Sequence, residues 1–340
     1  MKTENSAREM FVIAEIGQAH EGSLGIAHSY IDALAATGIN AVKFQTHIAS
    51  AESSEFEPFR VNFSFEDKTR YDYWKRMEFT ADQWAGLKAH CEEKSMEFMS
   101  SPFIIAAVEL LERIGVARYK IGSGEVSNFL MLERIANTGK PVILSSGMSS
   151  FSELDETTSF LKARNVAYSI LQCTTAYPTQ PAQWGLNVMA ELKERYQVPV
   201  GFSDHSGDIY AGLAAAAQGA EILEFHVVFD KQMFGPDAKS SLSIAQVSRL
   251  VEGVRQIDEA AQNTIDKGDN SAYSQLKGIF EKSLAINKDL PKGHVLVLED
   301  LESKKPKGYG IDAQLFKEVV GKTVSTDLVS GSFLNKRDIE

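Results

Sequence analysis

The chain has 340 residues and 44% of them are hydrophobic, enough to build one large domain and a small one around a sizeable core. Its net charge of −11 argues against nucleic acid or an anionic membrane surface as partner, so any anionic ligand must be held by local positive charge. Two cysteines, Cys91 and Cys173, form no disulfide framework, the opening residues lack an apolar targeting core, and no stretch reaches transmembrane length; the expectation is a cytoplasmic protein with reduced thiols.

From residue 11 to about residue 260 a strand-then-helix pattern recurs. The predicted strands are FVIAEIG (11–17), AVKFQTH (41–47), EFMSSPF (97–103), YKIGSGE (119–125), PVILSSG (141–147), YSILQCT (168–174), PVGFSDH (199–205) and ILEFHVV (222–228). Between them lie stretches with apolar spacing near three and four, such as AHSYIDALAATG and AAVELLERIG. Four of these helices run into a glycine just before the next strand, at Gly38, Gly115, Gly139 and Gly219, the stop expected of repeated αβ units. Eight units predict a (β/α)8 TIM barrel over residues 1–262. A doubly wound open sheet is the structural alternative, but eight successive parallel strands favour closure. Residues 49–80 are charged and aromatic and read as a loop or insertion after the second strand, on the active rim. The stretch SRLVEGVRQIDEAAQ predicts the helix that completes the barrel.

Residues 263–279 read as a polar linker and residues 280–340 as a second domain. There Asp289, Leu290, Gly293, Leu296, Asp300 and Leu301 recur as Asp327, Leu328, Gly331, Leu334, Asp338 and Ile339. A unit this short cannot stand alone, so the two copies are expected to build one small β-rich domain.

In a (β/α)8 barrel the active site lies at the carboxyl ends of the strands. In order, those ends present Glu15, Lys43 with Gln45, Ser101, Lys120 with Ser123 and Glu125, Ser145, Thr174 with Tyr177, Ser203 with His205, and His226, with Asp237 beyond. His205 and His226 sit where two strands joined by one helix hand over to loops, so both imidazoles share a rim. Two nitrogens without cysteine suit an open divalent-cation site completed by water and substrate, Mn²⁺-like rather than a closed structural zinc. His20 and His47 are spare candidates near the rim; His28 and His90 fall on helices and read as structural, and Cys173 as a packed thiol. Lys43, Lys120, Ser123, Ser145 and Ser203 have the chemistry of a phosphate site. A strand-end lysine is often just a solvated rim charge, yet VKFQ and YKIG embed both in apolar strands.

The segments AEIGQAHEG, KFQTH, YKIGSGE, LSSGM, LQCTTAYPT, GFSDHS, EFH and GPDAKSSL, in this order, resemble the sialic acid synthase family, and the end of the chain resembles that family's antifreeze-like (SAF) domain. The resemblance implies condensation of phosphoenolpyruvate with the open-chain aldehyde of an N-acylated amino sugar, by C–O cleavage. It implies a domain-swapped homodimer in which the cap of one chain closes the site of the other. It further implies that Lys43, Lys120, Ser123, Ser145, Thr175 and Ser203 bind phosphoenolpyruvate. His205 and His226 would hold Mn²⁺, or another divalent cation such as Mg²⁺ or Co²⁺, with Glu15 and Glu125 as the catalytic carboxylates beside them. Gln45, Glu125, Tyr177, Asp237 and Lys305 would surround the sugar.

Three positions depart from the family pattern. Ala19 stands where Asn usually precedes the histidine of the first motif, and Thr175 where Asn is common. Lys304-Lys305-Pro306 replaces Lys-Arg-Pro, and a lysine lacks the planar fork that arginine offers an acyl group. N-acetylmannosamine is the expected acceptor, with a 2,4-diacetamido-trideoxy hexose, giving a legionaminic-type product, as the alternative. More distant readings are a Schiff-base aldolase with Lys120 as nucleophile, which needs a desolvated lysine and no metal, and a non-catalytic carbohydrate-binding protein.

Overall fold

All-parallel sheets need cover on both faces, and the eight apolar runs meet that demand by closing around their own side chains. The computed structural model describes residues 9–61 and 63–340. Its strands are β1 (Phe11–Gly17), β2 (Ala41–Thr46), β3 (Glu97–Pro102), β4 (Tyr119–Ile121), β5 (Val142–Ser145), β6 (Tyr168–Cys173), β7 (Val200–Asp204) and β8 (Ile222–Val228). They pair in parallel in the order β3-β2-β1-β8-β7-β6-β5-β4. The two end strands lie side by side, so the barrel is nearly closed. Arg118, just before β4, spans that seam with a bidentate pair to Glu97 at the start of β3, at 2.8 and 3.0 Å.

The helices are α1 (Leu24–Ala35), α2 (Ala49–Glu52), α3 (Arg70–Met77), α4 (Ala81–Glu93), α5 (Ile105–Ile114), α6 (Phe129–Ala136), α7 (Phe151–Ala163), α8 (Leu186–Tyr196), α9 (Ile209–Ala217) and α10 (Ile244–Gln262). Gly38, Gly115, Gly139 and Gly219 do stop helices, each in the left-handed region at φ between +71° and +82°. Among the described residues no helix is long and apolar enough to cross a membrane.

Three sequence expectations need correction. β4 ends at Ile121, not Glu125, because Gly122 and Gly124 offer the sheet no side chain; Ser123–Glu125 turns as a 3₁₀ helix instead. His226 is not at a strand end. β8 runs two residues further to Val228, where it pairs with the short β9 (Leu242–Ser243). The 49–80 segment is not simply a loop: it contains α2 and α3, and a Thr69–Asp72 capping box starts α3. Tyr73, Trp74 and Met77 of α3 pack with Phe59 and Phe63 into a small core of their own. That core gives the long insertion a fixed shape.

The C-terminal unit runs from Thr264 to Glu340. Its regular pairing is β10 (Ser283–Ile286) against β11 (Leu301–Lys304). The internal repeat appears as local two-fold symmetry. Leu290 and Leu328 exchange both backbone hydrogen bonds at 2.9 Å. The carboxylate of Asp289 accepts from the Ser330 N–H at 2.8 Å, and that of Asp327 from the Lys292 N–H at 2.7 Å. Each copy thus caps the other's turn, and Leu296 and Leu334 fill the shared core. Asp300, fully buried, accepts from the Val297 N–H and contacts Lys288 and His294.

In the barrel, a Cβ added at Gly201 would stand 2.2 Å from the Ile222 carbonyl oxygen and 2.7 Å from a Leu171 methyl. Gly201→Ala is therefore expected to lower the unfolding free energy by about 1–3 kcal/mol in chemical denaturation. In the C-terminal unit, burial works against the Asp300 charge, but Lys288, the Val297 N–H and His294 outweigh it and hold the carboxyl down at about 2. A folded-state value below the unfolded one, about 4, means stabilisation that is complete above pH ~4 and is lost as pH falls toward 2. Hydrogen exchange of the Val297 amide should accelerate across that window in the native chain, and Asp300→Asn should remove the transition.

Candidate active site

Side chains on a strand alternate, so residues two apart face the same side. Toward the barrel axis Ile13, Ala41, Met99, Ile143, Leu171 and Ile222 form an apolar plug. Two residues further along the same strands come Glu15, Lys43, Ser101, Ser145, Cys173 and Glu224, joined by Lys120 and Ser203. The change from apolar to charged happens within one turn of the pleat. Above it opens a cavity of about 320 Å³, whose outer wall is the insertion: Phe59, Val61, Phe63, Tyr73 and Trp74.

The floor of the cavity is a quartet of charges, each with a side chain no more than 4% exposed. Lys43 Nζ lies 3.0 Å from Glu15 Oε2 and 3.4 Å from Glu224 Oε2. Lys120 Nζ lies 3.5 Å from Glu224 Oε1 and donates to Ser145 Oγ at 2.6 Å. The Ser101 hydroxyl accepts from Lys43 at 3.3 Å, and Ser203 donates to Glu224 Oε1 at 3.0 Å. Each buried ion would cost several kcal/mol alone; alternating the signs makes the set neutral. Burial opposes the charge of Glu15, yet Lys43, His226, Gln45 and Lys120 hold its carboxyl well below the usual range. Lys120 and Lys43 do the same for Glu224 against burial. Burial likewise opposes the Lys43 charge, but Glu15 and Glu224 raise it above the ordinary lysine value. Lys120 goes the other way, lowered by burial and by Lys43 despite Glu224.

The register sets His205, directly after β7, beside His226 of β8, and their ring centroids are 5.3 Å apart. His205 Nδ1 faces the Thr174 carbonyl at 3.2 Å and Cys173 Sγ at 3.7 Å, which leaves Nε2 as its available donor. His226 Nε2 is 3.4 Å from Glu15 Oε2. Among the described residues no three His, Cys, Asp or Glu side chains cluster in a way that could hold a metal ion. The donor set fits an open two-nitrogen site that takes its other ligands from water and substrate, not a closed cage.

The remaining expected residues separate into two groups. Ser123, Thr175, Tyr177 and Asp237 line the cavity with the quartet and the histidines. Gln45 lines it too and donates to Glu15 Oε1 at 2.6 Å. Gly147 has no room for a side chain: a Cβ there would stand 2.5 Å from both the Ser123 and Thr175 hydroxyls. Glu125 is not in the cavity wall. Its carboxylate folds back to accept from Asn128 at 2.7 Å, and burial raises its pKa. Lys305 belongs to the C-terminal unit, with its Nζ 5.0 Å over the Phe280 ring. The spare histidines have other work. His47 is stacked between Trp74 and Phe103, with Nδ1 against Glu52 at 2.8 Å and Nε2 against Gln18 at 2.9 Å. His20 packs on Phe79, and burial lowers its pKa to about 3. His28 and His90 pair with each other on α1 and α4 at 2.8 Å.

Sequence reasoning missed two residues. Glu224 was legible: in ILEFH it lies two before His226, so period two points both into the barrel. Arg60 was not, since nothing local links it to positions far along the chain. Its guanidinium lies 4.2 Å over the Tyr177 ring and pairs with Asp237 at 2.6 Å.

Comparison with known proteins matches residues 30–266 to the NeuB family and residues 281–340 to the SAF domain. The chain is 33% identical to the N,N'-diacetyllegionaminic acid synthase of Campylobacter jejuni, over 93% of this chain and 96% of that one. It is 33% identical to human N-acetylneuraminate-9-phosphate synthase, over 88% and 84% of the two chains. A crystal structure of the N-acetylneuraminic acid synthetase of Leptospira borgpetersenii, in complex with citrate, superposes with a TM-score of 0.70 at 30% identity, covering 79% of this chain and 90% of that one. With its barrel, its C-terminal repeat unit and its relatives all in agreement, the chain belongs to the NeuB family of sialic acid synthases and ends in a SAF domain.

Proposed function

We propose that this barrel condenses phosphoenolpyruvate with the open-chain aldehyde of an N-acylated amino sugar and water, giving a nine-carbon 2-keto acid sugar and phosphate. The observation that supports it most is the floor of the cavity: two buried ammonium groups and three hydroxyls, beside two histidines, at the closed end of a polar-floored, aromatic-walled pocket. Lys43 and Lys120 take the phosphate and carboxylate of the enolpyruvate, with Ser123, Ser145, Thr175 and Ser203 donating to its oxygens. Gln45, Tyr177 and Asp237 meet the acceptor further out. Exchange of C-terminal units within a homodimer, with Lys305 at the acceptor's acyl end, belongs to the same proposal.

The chemistry follows from that placement. C3 of the enol forms a bond to the aldehyde carbon, whose oxygen takes a proton. Water adds at C2 and gives up a proton, oriented by Glu15, which of the two expected catalytic carboxylates is the one that lines the cavity. The tetrahedral centre then collapses with loss of phosphate. A divalent ion such as Mn²⁺, Mg²⁺ or Co²⁺, held by His205 and His226, would supply Lewis acidity toward the acceptor's carbonyl oxygen.

N-acetylmannosamine is the simplest acceptor. A 2,4-diacetamido-trideoxy hexose is the second reading, favoured by the apolar outer wall of Phe59, Val61, Phe63, Tyr73 and Trp74, which suits acetamido methyls and a deoxygenated carbon. The relative named for legionaminic acid supports the same reading.

A panel of amino sugars with phosphoenolpyruvate, read by phosphate release, is expected to give turnover with at least one of these two. In ¹⁸O-labelled water the released phosphate should carry no label; label in phosphate would mean P–O cleavage and reject the mechanism. His205→Ala is expected to lose both Mn²⁺ binding by calorimetry and metal-dependent turnover with an unchanged circular dichroism spectrum. Activity retained in that variant, with metal shown to be absent, would remove the histidine from the site.

A further inference from the structure

Two arginines line the outer cavity, and the structure uses them differently. Arg70 is committed to the wall: it pairs with Glu57 at 2.9 Å, donates to the Pro58 carbonyl at 3.3 Å and lies over the Trp74 ring. Arg60 reaches across the mouth. Among the described residues its guanidinium has one hydrogen bond, from Nη2 to Asp237 Oδ1 at 2.6 Å, and it lies 4.2 Å over the Tyr177 ring. Its side chain is 39% exposed, so the remaining N–H groups are open to whatever enters the cavity. Stacking on the ring fixes the plane of the guanidinium, and with it the direction of those donors.

Charge, surroundings and depth decide what those donors take. Asp237 balances the Arg60 charge, so a phosphate or carboxylate placed there would meet a carboxylate as well as a guanidinium. A neutral oxygen acceptor carries no such cost. Phe59 and Val61, the chain neighbours of Arg60, line the cavity with it, as does Phe63, so the donors are flanked by apolar surface. A carbonyl oxygen with a methyl beside it, which is an acyl group, matches both. The ring centroids of His205 and Tyr177 are 4.3 Å apart, and Arg60 is 4.2 Å from the Tyr177 centroid. Two groups that close would collide on one face of the ring, so they take opposite faces. An acceptor whose aldehyde lies at the histidines therefore meets Arg60 only beyond the Tyr177 ring, with a carbon further along its chain than C2. At C4, N-acetylmannosamine carries a hydroxyl and the 2,4-diacetamido-trideoxy hexose an acylated amine. We propose that Arg60 is a specificity-determining residue whose guanidinium donates to the acyl carbonyl oxygen on the acceptor's C4, and so selects the diacetamido sugar over N-acetylmannosamine. The inference rests on the acceptor placement of the condensation proposed above and chooses between its two acceptors. It does not depend on where the C-terminal unit lies, because Arg60, Tyr177 and Asp237 all belong to the barrel unit.

The test measures binding by calorimetry and turnover by phosphate release. The binding probes are the alditols of the two sugars, which lack the aldehyde and cannot react, titrated in the presence of phosphoenolpyruvate. Wild-type enzyme should prefer the diacetamido alditol by about tenfold, the difference expected of one charge-assisted hydrogen bond, and show the same preference in kcat/KM for the parent sugars. Arg60→Ala should abolish that preference. Arg60→Lys keeps a charge for Asp237 but loses the planar fork, and should lower the preference too. A residue that only braced Tyr177 and Asp237 would move both acceptors together. An alanine variant whose preference stays within threefold of wild type would therefore overturn the inference; should that variant fail to fold, the lysine variant decides by the same criterion. Wild-type enzyme that binds both alditols equally, or favours that of N-acetylmannosamine, would overturn it as well. The two readings fail separately, because alditol binding does not need turnover. Enzyme that shows the Arg60-dependent preference but releases no phosphate with either sugar would overturn the condensation and leave the acceptor contact standing.

Discussion

Four charged side chains are buried together at the mouth of the barrel plug, and their mutual neutralisation is the constraint on which the site depends. Lys43, Glu15, Glu224 and Lys120 come from four different strands, and three pairs of opposite charges link them at 3.0–3.5 Å. No one of them is tolerable there alone. Together they fix the spacing of β1, β2, β4 and β8 at the carboxyl ends, just above the apolar layer that fixes the same strands below. The same neutrality lets the four charges stay buried together beneath the cavity.

Around this floor the rest of the chain works by position. The register of β7 and β8 aligns the two histidines, and hydrogen bonding by the Thr174 carbonyl and Cys173 turns His205. Gln45 holds Glu15 from above, and is itself bonded to Gln18 and to His47, which is clamped between Trp74 and Phe103. The insertion after β2 thus does two jobs: it walls the outer cavity, and its α3 tryptophan fixes a chain of polar contacts that ends on a floor carboxylate. Arg60 ties the same insertion to Tyr177 and Asp237 across the mouth.

Much of this was legible in the sequence. Period-two alternation in AVKFQTH and ILEFHVV gives the inward face of each strand, and the glycines at 38, 115, 139 and 219 mark where helices hand over. The repeat at Asp289 and Asp327 already implied two copies folding on each other, and the exchanged aspartate caps supply the physical form. What stayed hidden was long-range. The orientation of Glu125 depends on Asn128 three residues on, in a turn that the strand pattern of YKIGSGE conceals. The role of His47 depends on aromatic partners 27 and 56 residues away in sequence, and Arg60 on a partner 177 residues away. Pattern reading reports which face a side chain takes, not which distant loop folds over it.

The most direct measurement is a crystal structure with phosphoenolpyruvate bound. The expected density places its phosphate and carboxylate on Lys43 and Lys120, with the Ser145 and Ser203 hydroxyls nearby. Phosphoenolpyruvate bound elsewhere in the molecule, with the quartet of charges undisturbed, would contradict the assignment of the barrel floor as the reacting site.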